Sequence, residues 1–140
     1  AIARLGDQDG YLYTVMYYDN KKQLIQAKAT NHLDGTDEEY IAYSFTGQPV
    51  KKMQIHKAGG KANQTENYTY IYDHAGRLVL TRHKLNSGAE VVLAENTYDE
   101  LGRLKSTAKN NNTELKTTYE YNARSWSDKI QHPLSTQQLY

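Results

Sequence analysis

The chain has no cysteine, which removes disulfide staples, thiolate nucleophiles and zinc–thiolate sites together. Charge of either sign is also missing as an excess. Seventeen Lys and Arg stand against sixteen Asp and Glu, a net of +1, evenly mixed along the chain. Such a balance creates no basic field to draw in nucleic acid or an anionic membrane. No apolar run approaches the roughly 20 residues of a membrane-spanning helix. The opening Ala1-Ile-Ala-Arg-Leu5 has no secretory hydrophobic region. Gly-x-Ser-x-Gly, Walker and dinucleotide-binding patterns are absent. His32, His56, His74, His83 and His132 are scattered, with no HExxH or close pair to clamp a metal. We therefore expect no metal and no cofactor.

What is present is tyrosine. Thirteen Tyr accompany a single Phe and a single Trp in 140 residues. That length fits one domain, residues 1–140, long enough to bury a core. Tyr has high β-propensity and a hydroxyl that tolerates water, which suits half-buried sheet faces. Apolar and polar residues alternate with period two and no helical period emerges, so the expected fold is all-β and antiparallel, with little or no helix.

Tyr70-Ile-Tyr-Asp-His-Ala-Gly-Arg-Leu-Val-Leu80 reads as strand, tight turn and returning strand. Asp73 opens the turn, where its carboxylate can accept a backbone N–H two residues on. Gly76 closes it, where a type I turn with a G1 bulge needs positive φ. This places Asp73 opposite Arg77, Tyr72 opposite Leu78 and Tyr70 opposite Leu80. Tyr98-Asp99-Glu-Leu-Gly102-Arg103-Leu104 repeats the pattern at every defining position. Weaker copies occupy residues 18–24, 43–49 and 121–127, so the lead tyrosines fall at 18, 43, 72, 98 and 121. A period in this range signals repeats stacked into an array. The hairpin units lie near residues 11–30, 40–56, 65–85, 89–109 and 113–131.

Two matches to Y-D-x-x-G-R-L at this spacing resemble the YD repeats of the RHS family, and the resemblance runs from about Tyr18 to Ser127. It implies linked hairpins forming a long antiparallel sheet, twisted or curling, within a large exported or cell-surface bacterial polypeptide, including polymorphic toxins. Three copies depart from the pattern. Lys22 stands in place of Gly, Pro49 in place of Leu, and Asn122, Ser125 and Trp126 in place of Asp, Gly and Arg.

Between the hairpins, residues 31–39 mix turn formers with acidic charge and read as a solvated loop, since their spacing matches no defined calcium loop. Gly59-Gly60 reads as a flexible connection rather than a phosphate loop. Pro49 cannot donate to a ladder, so its strand is expected to start there or to lie at an edge. Asn63, Asn67 and Asn111 head Asn-x-Thr triplets that matter only in a glycosylating host. Trp126 has two readings, core filler or sugar platform, of which core filler is the more usual.

Asp73 and Asp99 are the most tempting carboxylate pair for a glycosidase, yet repetition points to turn duty, and no catalytic residue is expected. The structural residues are then Tyr72, Asp73, Gly76, Arg77, Leu78, Tyr98, Asp99, Gly102, Arg103 and Leu104. The function expected is a non-enzymatic segment of a β-scaffold or shell. The alternative is a carbohydrate-binding module stacking sugars on Tyr70, Tyr72, Tyr98, Tyr119, Tyr121 and Trp126. Expected partners are flanking repeats, a second copy through an edge strand or tyrosine-rich face, or a glycan. No nucleic acid and no membrane span are expected. Because the chain starts without Met and almost at once with strand-like text, we expect it to be a segment of a longer protein, exported or at the cell surface by resemblance.

Overall fold

The computed structural model describes residues 2–3, 11–110, 112–133 and 135–138. The fold is all-β and antiparallel, with no helix among the described residues. By contacts the chain divides into two compact units, residues 1–69 with 84–89, and residues 70–83 with 90–140.

The first unit contains β1 (Ile2–Ala3), β2 (Tyr11–Leu12), β3 (Thr14–Tyr18), β4 (Leu24–Thr30), β5 (Thr36–Tyr43), β6 (Pro49–His56) and the start of β7 (Gln64–Tyr72). β1 pairs with β2, and β3 to β7 pair in chain order. The second unit holds the end of β7, most of β8 (Leu78–Leu85), β9 (Glu90–Tyr98), β10 (Leu104–Lys109), β11 (Asn112–Tyr121), β12 (Ser127–His132) and β13 (Ser135–Gln138). There β9 to β13 again pair in chain order. Pro49 opens β6, the strand position where its missing N–H costs least.

All five tyrosine-led turns share one geometry, departures included. The fourth turn residue is left-handed in each, with φ of 62° at Lys22, 87° at Gly47, 76° at Gly76, 79° at Gly102 and 62° at Ser125. That residue's N–H bonds back to the carbonyl of Asp19, Ser44, Asp73, Asp99 or Asn122 at 2.9–3.1 Å. The first residue's N–H bonds forward to the carbonyl of the fifth, Gln23, Gln48, Arg77, Arg103 or Trp126. Substitution of Gly by Lys or Ser leaves the turn type intact, because the surrounding bonds hold the residue in a conformation it would rarely choose alone.

Unbroken alternation beyond the turn does not hold in the hairpins with defined register. Tyr98 does face Leu104, but Thr97 then faces Ser106, leaving Lys105 as an extra residue. The same shift follows Tyr18–Leu24, Tyr43–Pro49 and Tyr121–Ser127. Each return strand therefore carries a bulge next to its turn, which re-aims the residues after it.

Among the described residues the expected hydrophobic core is not found. No described hydrophobic side chain is buried, while Asn31 and Ser106 are. Within each unit the main strand contacts among the described residues are with ladder neighbours. The acidic residues read as a loop also move. Only Asn31 to Gly35 turns, and Asp37, Glu38 and Glu39 lie within β5, where basic side chains across the ladder compensate their poor β-propensity.

The left-handed position predicts opposite signs for opposite substitutions. Gly102→Ala should destabilise by roughly 1–2 kcal/mol, the cost of that conformation for an L-residue, and its methyl would press on Arg77 Nη1 at 3.3 Å. Ser125→Gly should stabilise by up to about 1 kcal/mol after the entropic cost of glycine. Urea midpoints that move the same way in both variants would contradict this.

Candidate functional site

The residues shared by the two strongest copies all have partners. Asp73 Oδ1 accepts the N–H of Ala75 and of Arg77, each at 2.9 Å, and Oδ2 holds the Arg77 guanidinium at 2.7 Å. Asp99 does the same with Leu101, Arg103 and the Arg103 guanidinium. The amide oxygen of Asn122 bonds Arg124 and Trp126, and Asp19 bonds Lys21 and Gln23. Ser44 Oγ accepts the Gln48 N–H and pairs with the Thr46 hydroxyl at 2.8 Å.

Arginine then reaches the next copy. The Arg77 guanidinium lies 4.7 Å from the Tyr98 ring centroid, and Arg103 lies 4.7 Å from that of Tyr121. In return the tyrosine hydroxyls donate to the leucine carbonyl of the preceding copy, Tyr98 to Leu78 and Tyr121 to Leu104, both at 2.8 Å. Tyr43 donates to Leu24 at 2.9 Å in the same way. Each of these leucines is the first residue of a return strand, and in the Leu24 and Leu104 hairpins the bulge follows directly.

Electrostatics follow the geometry. Hydrogen bonds from Arg77, backbone and then side chain, hold the Asp73 carboxyl below the usual carboxylate range. Partial desolvation pushes Asp99 upward, but the Arg103 bonds outweigh it and the net shift is also downward. A general acid needs a raised value, and both shifts run the other way. Desolvation raises the Tyr72 hydroxyl, helped by neighbouring Tyr70.

Of the rings considered for ligand stacking, Tyr70, Tyr72, Tyr98, Tyr119 and Tyr121 are half-buried. Tyr98 and Tyr121 each carry a guanidinium near one face. Trp126 is not core filler. It is 64% exposed, with Arg124 at 5.6 Å from its ring, and it occupies the position that arginine holds in the two strongest copies.

Sequence reasoning missed a polar groove in the first unit. Register puts Met16, Ala27, Glu39, Gln54 and Glu66 in one row and Ala29, Asp37, His56 and Gln64 in the next row on the same face. Together they line a depression of about 460 Å³ floored by the two alanines. Glu39 is bonded by Lys52 at 2.7 Å and Gln54 at 2.9 Å, Glu66 by Gln64 and Tyr68, and His56 meets Asp37. On the opposite face Glu38 binds Lys57 and the Tyr40 hydroxyl, both at 2.7 Å, which lowers its pKa. Period-two spacing of polar residues in 37–39, 54–56 and 64–66 was the available signal. Among the described residues, no three His, Asp or Glu side chains gather as a metal site requires. No protein-family model matches the chain, and no curated protein matches it.

Because Glu38, Asp73 and Asp99 are all depressed, each contributes stability that is complete above its ordinary value of 3.8–4.5 and is lost as pH falls through the lower folded value. The urea midpoint should therefore hold from pH 7 to about pH 5 and drop below about pH 4. Asp99→Ala should lose more stability at pH 7 than Asp99→Asn, since asparagine keeps the two turn bonds, as Asn122 does. Equal losses would show that the turn bonds contribute little.

Proposed function

We propose that this chain is a non-enzymatic structural repeat segment, part of the β-scaffold or shell of a larger exported or cell-surface protein built like the YD repeats of the RHS family. The observation that carries the reading is the use made of the reactive groups. The aspartates cap their own turns, the arginines bridge to the next tyrosine, and the tyrosine hydroxyls bond the preceding leucine carbonyl. The same groups recur in copy after copy, as building units do and active sites rarely do. Placement beyond the cell rests on the sequence resemblance alone.

A scaffold of this kind gains stability with each nearest-neighbour interface added. Inserting a tandem duplicate of residues 99–121, one repeat from just after one lead tyrosine through the next, should therefore raise the urea midpoint, and a lower or unchanged midpoint would overturn the reading. A second reading, a carbohydrate-binding surface, is favoured by the exposure of Trp126. A glycan array run beside a Trp126→Ala variant separates the two. Binding to one sugar class that disappears in the variant would establish the surface, whereas a blank array accords with the scaffold.

A further inference from the structure

Tyr18 is the lead tyrosine of the first copy, and its surroundings differ from those of its counterparts. Tyr43, Tyr98 and Tyr121 are half-buried and donate to a leucine carbonyl of the copy before. Tyr18 is 57% exposed, and its hydroxyl points to the Met16 thioether at 3.4 Å, a weak acceptor. Tyr98 and Tyr121 also carry a preceding copy's arginine near the ring.

The strand that carries Tyr18 is a ladder edge. Among the described residues β3 ends its ladder, with β4 on one side. Val15, Met16 and Tyr17 are 50%, 53% and 46% exposed. The Thr30 N–H bonds the Tyr13 carbonyl, so alternation gives Val15 and Tyr17 their ladder bonds to β4. Thr14 and Met16 then turn their N–H and C=O groups outward.

We propose that this outer edge of β3 is the docking site for the return strand of another tyrosine–aspartate hairpin, a strand led by a cationic residue and leucine. The inference rests on the scaffold reading and specifies how a neighbour attaches. The incoming leucine carbonyl takes the Tyr18 hydroxyl, and the incoming cation covers the Tyr18 ring. Register follows from the three interfaces between copies where it is defined, Lys51 facing Thr69 from the Pro49 position being one of them. The residue two beyond the leucine faces the residue three before the next tyrosine, as Gln26 faces Tyr40 and Ser106 faces Thr118. Applied to β3, that residue is Val15, and the next pairs with Thr14. Continuity with these interfaces favours a hairpin return strand over a second copy of β3, which would bring neither the leucine carbonyl nor the cation.

The absence of cysteine makes the register directly testable. A peptide of residues 101–108 carrying Ser106→Cys, which stops short of the Leu12 position paired with Ile2, should form a disulfide with a Val15→Cys chain at least about tenfold faster than with a Thr14→Cys chain. Val15 is a non-hydrogen-bonded position on that edge, where side chains lie closest. Tyr18→Phe should weaken binding of the unmodified peptide roughly fivefold, the worth of one neutral hydrogen bond. Equal trapping at both positions, or an unchanged affinity in Tyr18→Phe, overturns the proposal. So does self-linkage of Val15→Cys that excess peptide does not reduce, which would assign the edge to a second copy. Failure to trap the peptide while the 99–121 duplication still raises stability removes this docking site and leaves the scaffold reading in place.

Discussion

A bulge beside the turn shapes what the tyrosines do. By adding one residue to the return strand, it interrupts ladder pairing just after the leucine, and a tyrosine hydroxyl from the following copy binds that leucine's carbonyl. An unpaired backbone carbonyl is costly wherever water is excluded, so bulge and tyrosine make sense as one device. The arginine completes it. Fixed to its own aspartate by 2.7 Å contacts, it enters the next copy already oriented, which reduces the side-chain entropy lost when it covers the ring.

This lateral bonding stands in for a core. With no described hydrophobic side chain buried, stability must come from ladder hydrogen bonds, cross-strand pairs and ties between copies. Tyrosine fits that demand better than phenylalanine, because its ring packs against neighbours while its hydroxyl bonds. The charged rows of β5 to β7 follow the same logic. Glu38 with Lys57 and Glu39 with Lys52 cross the ladder on opposite faces, and each half-buried pair contributes modestly.

How much of this was legible follows from how local each cause is. The turn of Asp73 to Arg77 could be read because donor, acceptor and glycine lie within five residues. The left-handed Lys22 and Ser125 could not, since their bonds to Asp19 and Asn122 override a preference that sequence alone reports. Asp37, Glu38 and Glu39 read as a loop in the sequence because the side chains that balance them sit far along the chain, at Lys52, His56 and Lys57. The bulges were invisible to a period-two reading, which assumes an unbroken ladder, and with them the carbonyls that the tyrosines bind. Trp126 departs from the core-filler expectation: unique tryptophans usually fill cores, and among the described residues no hydrophobic side chain is buried.

The account stands or falls on whether arginine and tyrosine couple between copies. A double-mutant cycle on Arg103→Ala and Tyr121→Leu, read by urea unfolding, tests this directly. The geometry predicts a coupling of roughly 0.5–1 kcal/mol, as for a partly exposed cation over an aromatic ring. Strictly additive losses would mean that the copies merely lie side by side, and would contradict the account.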